Sequence, residues 1–292
     1  MLVLGATGWF GKTTLELLNA RNTQVLAFPR RHSRRGVSQD IEDRRLFEQE
    51  VLDFQPSLIV DFSFLTRDKL KSIELERFRS TNLGLTDRLL NLAKLSSVEK
   101  VMYASSGAAI HPKDALEGGF DLNPYGFLKR RAEVQLKELV ESSQGTKSVS
   151  ILRPWSVSGK NVRDPSTYLF SSLVTQAIEG DMVLTSNTMV YRRYVSVGDA
   201  IHLGLANFRQ GELSVLDTGG ELIEARDLAT LVREIVNPQA SISMRDPISD
   251  RVDDYFSDNS SWTAALQEFQ YEPLSLVQQI EALASSLVGR QK

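Results

Sequence analysis

The chain contains no cysteine among its 292 residues, which excludes disulfides and thiolate chemistry and fits a reducing compartment. Histidine is scarce as well. His32, His111 and His202 are the three present, and they show no metal-ligand spacing, so no metal site is expected. Long apolar runs are missing: none reaches the roughly 18 residues of a membrane span, and no basic-then-apolar leader precedes Leu2. Neither a membrane partner nor a secretion signal is expected, and the cytoplasm is the default location. Charge of one sign is not in excess either. A formal net charge of −3 gives no reason to expect a nucleic acid or another polyanion as partner. The sequence shows no internal repeat and no low-complexity linker.

What is present suffices to bury a full core, since 41% of the residues are hydrophobic; the length allows one large α/β domain or two unequal lobes. Leu2-Val3-Leu4 reads as a short strand, and Gly5-Ala6-Thr7-Gly8-Trp9-Phe10-Gly11 follows it directly. Lys12 to Asn22 then places Leu15 and Leu18 at helical spacing. In a strand, glycine turn and helix of this kind, Gly5 permits the tight turn and Gly8 lets a pyrophosphate approach the backbone. Gly11 allows the helix to pack closely, with its N-terminus facing the anion. The spacing is Gly-x-x-Gly-x-x-Gly, which has weight because it follows a strand rather than because glycines recur.

Alternation continues through the first half. Gln24 to Phe28, Gly36 to Ile41 and Leu58 to Phe62 read as strands, between helical stretches at Glu42 to Phe54 and Lys69 to Leu95. A strand through Val101-Met102-Tyr103-Ala104, a helix after Tyr125 and a strand from Ser148 to Leu152 extend the pattern. Strand and helix repeated in this way imply a doubly wound parallel sheet with helices on both faces. Beyond Gly159 the pattern loosens into a polar loop from Asn161 to Tyr168 and a helix from Tyr168 to Ile178, and Arg192 to Asn207 is expected to return to the main lobe.

Two segments carry chemistry. Ser105-Ser106-Gly107 ends an apolar strand, and Tyr125-Gly126-Phe127-Leu128-Lys129 places a tyrosine and a lysine on one face of a helix, one turn apart. An ammonium beside a phenol favours the phenolate and brings a pKa of about 10 towards neutrality, where Tyr125 can donate and accept a proton. A tyrosine and a lysine at this spacing also arise by chance in charged helices. Both serines could likewise end a strand and cap a turn.

Taken in order along the chain, these motifs resemble the extended short-chain dehydrogenase/reductase family, particularly its nucleotide-sugar epimerases, dehydratases and ketoreductases. Thr7-Gly8-Trp9-Phe10-Gly11 resembles the cofactor turn, Val101 to Ser106 the strand with the active-site serine, and Asn123-Pro124-Tyr125-Gly126 to Lys129 the catalytic helix start. Ile151-Leu152-Arg153-Pro154 resembles the strand entering the substrate region, and Arg192 to Ala200 the segment Arg-Asp-Tyr-x-x-Val-x-Asp. The resemblance covers nearly the full length and implies a Rossmann-type domain over residues 1–158, joined by about 190–217. A smaller discontinuous substrate lobe over 159–189 and 218–292 completes the expected architecture. It further implies an NAD(P)-dependent enzyme in which Tyr125 exchanges a proton with the reacting oxygen. Lys129 lowers the pKa of Tyr125 and binds the nicotinamide ribose, and Ser106 hydrogen-bonds the reacting oxygen.

Cofactor contacts are expected from Gly5, Thr7, Gly8, Trp9, Phe10 and Gly11, from Asp40-Ile41 near the adenine, and from Phe62 and Ser63. Relatives using NAD place an acid at the end of the second strand; this chain has Pro29, followed by Arg30 and Arg31, then Arg34 and Arg35. Guanidinium suits a 2′-phosphate, so NADP(H) is favoured and NAD(H) is the alternative; the arginines could also be solvated surface charge. The fourth strand departs from relatives with His-x-Ala-Ala, since Asp61-Phe62-Ser63-Phe64 puts larger side chains there. Asn82 matches a structural helix asparagine, a packing residue or an organiser of the site.

Substrate class rests on the resemblance alone. It implies a nucleotide sugar, with Arg192 on the diphosphate and Ser156 in the substrate lobe, although a structural salt bridge would equally account for Arg192. A 4-keto reductase using NADPH, an epimerase holding NAD tightly and a non-enzymatic NADPH-binding regulator are the alternatives. A 4,6-dehydratase is not expected, because Gly107-Ala108 replaces the acidic pair that follows the active residue in those relatives. A homodimer is compatible with the sequence.

Overall fold

The computed structural model describes residues 1–21, 23–29, 41–112, 117–245 and 252–289, except for the side chains of 41–44. Strand β1 (Leu2–Leu4) is followed by α1 (Trp9–Asn19), β2 (Leu26–Phe28), α2 (Ile41–Phe54), β3 (Leu58–Asp61) and α3 (Leu75–Ala93). Next come β4 (Lys100–Ala104), α4 (Pro124–Ser142), β5 (Ser148–Arg153), β6 (Ser156–Ser158), α5 (Leu169–Glu179) and β7 (Asp181–Leu184). Then follow β8 (Met189–Ser196), α6 (Val197–Ala206), β9 (Leu213–Asp217), β10 (Glu221–Glu224) and α7 (Ala225–Val236). The chain closes with β11 (Ser241–Met244), β12 (Val252–Asp253), α8 (Ser260–Glu268) and α9 (Leu276–Val288). Two compact units result, Met1–Arg153 with Gly204–Leu216 and Pro154–Leu203 with Asp217–Lys292.

The first unit is an α/β Rossmann-type fold. Its six-stranded sheet runs in the order β2-β1-β3-β4-β5-β9, with β1 parallel to both β2 and β3, β3 parallel to β4, and β4 parallel to β5. Alternation along β1 sends its side chains to opposite faces. Leu2 and Leu4 join Phe47, Leu89, Leu136 and Ile151 in one core cluster, whereas Val3 packs with Ala6 and Leu18 on the other face. Both faces are therefore covered, and all of β1 is buried, as a central parallel strand requires. Because β2 and β3 lie on opposite sides of β1, the strand order reverses there. The carboxyl ends of β1, β3 and β4 thus open on the crevice where α/β sheets bind their ligands.

The second unit holds β8 between β10 and β12, with β6 also paired to β8, and a separate parallel pair of β11 with β7. Its interior includes Trp262, fully buried, and Phe170 packed on the ring of Tyr194 at 5.0 Å between centroids. Asp199 ties the C-terminal part to the start of α6. Its carboxylate accepts from Ser196 Oγ at 2.6 Å, Tyr271 Oη at 2.6 Å and Leu274 N at 3.1 Å.

Several local expectations shift. The chain passes between units after Arg153, Leu203 and Leu216, where the sequence suggested 158, 189 and 217. Arg192 to Leu203 stays with the second unit, because β8 pairs with β6, β10 and β12 rather than with the large sheet. The long helix expected from Lys69 divides into a short 3-10 turn, Arg67–Lys71, and α3, whose N-cap Glu74 has extended backbone. Helix α1 starts at Trp9, before the expected Lys12. Most of the strand expected at Gly36 to Ile41 lies outside the described residues, and Ile41 opens α2.

Candidate active site

The glycine turn after β1 divides its labour between packing and access. Gly5 sits at φ +73°, a conformation that glycine adopts at no steric cost. A Cβ on it would come within 2.6 Å of the Phe62 carbonyl carbon, so the turn lies directly against the segment after β3. Gly11 has no room for a side chain, since a Cβ would lie 2.6 Å from Ala6 Cα. A Cβ on Gly8, the N-cap of α1, would meet only the Gly5 oxygen, at 3.3 Å. No side chain caps α1 and no acidic residue stands in its first turn. Backbone donors and the positive end of the helix dipole therefore suit an anionic pyrophosphate, and the turn of Gly5, Thr7, Gly8, Trp9, Phe10 and Gly11 fits a dinucleotide.

The segment after β3 forms the next wall. Asp61, almost fully buried, accepts from Ser63 N at 2.7 Å and Ser63 Oγ at 2.5 Å, and Arg88 Nη2 donates to Ser63 Oγ at 3.1 Å. Burial pushes the Asp61 carboxyl above its usual range, opposed by the Ser63 hydrogen bonds and by Arg88 and Lys129. Asn82, fully buried on α3, holds the following backbone by accepting from Leu65 N at 2.8 Å and donating to Leu65 O at 3.4 Å. Its side chain is thus an organiser of the Phe62–Leu65 segment. Phe62 packs on Phe10 at 5.6 Å between ring centroids, joining this segment to the glycine turn.

Ser106, Tyr125 and Lys129 all belong to the first unit and converge on the end of β4. Lys129 is 3% exposed and donates to Ala104 O at 2.6 Å, one residue from the serine pair. Its ammonium also lies 3.8 Å from the centroid of the Phe64 ring and 4.7 Å from that of Tyr103. Burial lowers the Lys129 pKa to about 7, against Asp61 and Glu133, whose negative charges favour the protonated form. Phe64 also meets the ring of Tyr125 edge-on at 5.8 Å. Ser106, buried, caps the 3-10 turn of Gly107–Ala109 by accepting from Ala108 N at 3.2 Å. Asn123 caps α4: its Oδ1 accepts from Gly126 N at 3.0 Å while its Nδ2 donates to Ala108 O at 3.1 Å.

Ser105 points elsewhere. Its hydroxyl donates to Glu133 Oε1 at 2.5 Å, and Arg153 grips the same carboxylate through Nε at 2.8 Å and Nη2 at 2.7 Å. Ser105 is thereby committed to the Glu133–Arg153 pair. Glu133, Asn123 and Phe64 were not singled out as site residues by sequence. For Asn123 a signal existed, because asparagine directly before a helix-starting proline is a cap pattern.

Ser156 and Arg192 lie in the second unit, on β6 and β8. Arg192 is engaged within that unit: Nη2 donates to Asp253 Oδ2 at 2.8 Å and Nη1 to Asp253 O at 3.0 Å and Tyr191 O at 2.7 Å. Its guanidinium also lies 5.7 Å from the centroid of the Tyr255 ring. Arg30, Arg31 and Asp40 fall outside the described residues, and the Ile41 side chain is likewise not described. Pro29, immediately after β2, stands beside the glycine turn, as Phe28 O accepts from Ala6 N at 3.1 Å. Among the described residues no cluster of His, Asp or Glu is placed to hold a metal ion, and no helix is long and apolar enough to cross a membrane.

Residues 1–214 match the model of the NAD dependent epimerase/dehydratase family. No curated protein matches the chain by sequence. Among solved structures, UDP-glucose 4-epimerase from Thermotoga maritima, determined with UDP-glucose, superposes with a TM-score of 0.78 at 18% identity, covering 100% of this chain and 99% of its own. The Thermus thermophilus UDP-glucose 4-epimerase in complex with NAD gives a TM-score of 0.75 at 21% identity, over 99% and 98% of the two chains. A GDP-L-fucose synthetase from Naegleria fowleri bound to NADP gives 0.76 at 14% identity, over 99% and 93%. At these identities the structures establish a shared fold.

Proposed function

As the chain belongs to the NAD dependent epimerase/dehydratase family, an NAD(P)-dependent class of enzyme, we propose that it reduces a 4-keto nucleotide sugar with NADPH. The observation that supports reduction is the end of β2, where Pro29 takes the place of an acid that would hold the ribose hydroxyls of NAD. The arginines after Pro29 offer cationic partners to a 2′-phosphate. A reductase exchanges its cofactor at every turnover and draws on a reducing pool. An epimerase must keep one dinucleotide through oxidation and re-reduction, which a ribose-binding acid favours. The nucleotide-sugar class rests on the substrates and names of the structures of like fold, whose solved forms contain UDP-glucose, NAD or NADP.

The nicotinamide supplies the hydride when bound. The uncapped N-terminus of α1 would hold the pyrophosphate, since Gly8 leaves the backbone accessible there. Ser106 donates to the carbonyl oxygen, and Tyr125 transfers its proton to that oxygen as negative charge develops. Lys129 favours the phenolate when protonated and, held on Ala104 O, would offer its remaining N–H donors to the ribose of a bound cofactor. Positioned proton transfer of this kind contributes ~10²- to 10⁴-fold, about 3 to 5 kcal/mol of barrier. Elimination of water would need acids beside the serine, and Gly107-Ala108 supplies none.

The test is to supply 4-deuterated NADPH with a 4-keto nucleotide sugar and follow the label. Stoichiometric NADPH loss with deuterium on the sugar carbon supports reduction. Inversion of a hydroxyl without net cofactor consumption, by protein that already carries a dinucleotide, identifies an epimerase instead.

A further inference from the structure

The peptide of Ala108 is gripped from both sides. Its N–H donates to Ser106 Oγ at 3.2 Å, and its carbonyl accepts from Asn123 Nδ2 at 3.1 Å. The other end of the same Asn123 amide accepts from Gly126 N at 3.0 Å, in the first turn of the helix that carries Tyr125 and Lys129. One continuous chain of hydrogen bonds thus runs from the Ser106 hydroxyl oxygen through a backbone peptide and the Asn123 side chain to the turn bearing Tyr125. Gly126 shows how close the two elements lie, since a Cβ there would overlap both the Ala108 carbonyl oxygen and the Asn123 side chain.

We propose that Asn123 is a positioning residue that fixes the distance and orientation between Ser106 and Tyr125 by joining the serine turn to the start of the tyrosine helix. The inference rests on the reading of Ser106 and Tyr125 as the pair acting on the substrate oxygen. Two features make the link more than an ordinary helix cap. A cap needs only an acceptor for the helix N–H, and serine, threonine or aspartate supplies one equally well. Asn123 adds a donor directed at the opposite element. The Ala108 N–H, once its peptide is fixed, in turn holds Ser106 Oγ at 3.2 Å and so sets where that oxygen sits relative to the tyrosine helix. Two groups that must contact one oxygen atom have little tolerance for drift, and a misplacement of about 1 Å costs up to about 10²-fold in rate.

The experiment compares Asn123→Ser and Asn123→Asp with the wild type in the full-length chain. Both variants retain a capping acceptor for Gly126 N; serine is too short to reach Ala108 O, and aspartate offers it no donor. With NADPH and a UDP-linked 4-keto-6-deoxyhexose, kcat should fall by about 10- to 100-fold while KM and NADPH affinity stay within about threefold. The effect should vanish in a Ser106→Ala background, where nothing remains to be positioned. A kcat loss that multiplies with that of Ser106→Ala, or a change in KM alone, overturns the proposal.

Should the wild type not reduce the 4-keto sugar, the functional reading fails while the positioning link is still tested by amide exchange. Exchange at Ala108 N–H should accelerate at least about tenfold in Asn123→Ser while Gly126 N–H stays protected by the serine cap. Unchanged exchange at Ala108 overturns the link whatever the substrate.

Discussion

The Lys129 ammonium lies 3.8 Å from the centre of the Phe64 ring, closer than its 4.7 Å approach to Tyr103 on the strand beneath it. Phe64 follows β3, where relatives of this type were expected to have small side chains, and its ring also meets Tyr125 edge-on. One aromatic residue therefore touches both Lys129 and Tyr125. It partly offsets the lost hydration of the ammonium through its π face and at the same time keeps water away.

This environment makes stability pH-dependent. Lys129 has a folded-state pKa of about 7, below its ordinary value of 10.5. Between these pH values the unfolded chain binds the additional proton, so stability rises with pH across that window, is complete above it, and reaches its floor below about 7. Urea unfolding of the cofactor-free protein from pH 6.5 to 10 should show this rise for the wild type and a flatter profile for Lys129→Met. Parallel profiles for the two proteins would show that Lys129 does not titrate in this range.

Replacing Tyr125 with phenylalanine removes the phenol and leaves the ring that packs on Phe64. Turnover should fall by ~10²- to 10⁴-fold, the range for a positioned proton donor, with NADPH affinity within a few fold. Steady-state kinetics together with fluorescence titration of NADPH separate the two quantities. Full activity in Tyr125→Phe would remove this residue from the chemistry.

The glycine turn and the helix bearing Tyr125 and Lys129 were legible because each residue acts locally: Gly5 through a positive φ, Gly11 through close packing, and the tyrosine–lysine pair through helical spacing. Asn82 was recognisable only as a helix asparagine; that it binds the Leu65 peptide depends on a tertiary approach between α3 and the end of β3. The same holds for Glu133, whose partners are Ser105, just after β4, and Arg153, at the end of the neighbouring β5. Arg192 illustrates a different limit. Its motif left a diphosphate contact and a salt bridge equally open, and the Asp253 carboxylate that it binds within its own unit has no regular spacing from it in sequence. The expected return of Arg192 to the main lobe failed for a related reason, since β8 has its partners in β6, β10 and β12 and sequence alternation does not reveal which sheet a strand joins.

The arginines after β2 should decide between cofactors. If Arg30 or Arg31 binds the 2′-phosphate, its replacement by alanine should weaken NADPH by about 1.5 to 3 kcal/mol, the worth of a hydrogen bond to a charged group, and leave NADH nearly unchanged. Paired titrations with NADPH and NADH check this. A wild-type preference for NADH would assign the cluster to solvated surface charge.

Beside the end of β4, Glu133 and Arg153 form a two-point ion pair with the Glu133 side chain 5% and the Arg153 side chain 12% exposed. Removing one partner from a pair this deep is costly because the other charge loses its compensation, whereas replacing both with apolar groups of similar volume is often close to neutral. Glu133→Leu should therefore lower unfolding free energy by about 3 to 5 kcal/mol, and Glu133→Leu combined with Arg153→Met should recover most of that loss. Ser105, which donates to the same carboxylate, loses an acceptor in both proteins, so full recovery is not expected. Chemical denaturation of the single and double variants measures the coupling. Additive losses would mean that the pair does not act as a unit and that the end of β5 is held against α4 by packing alone.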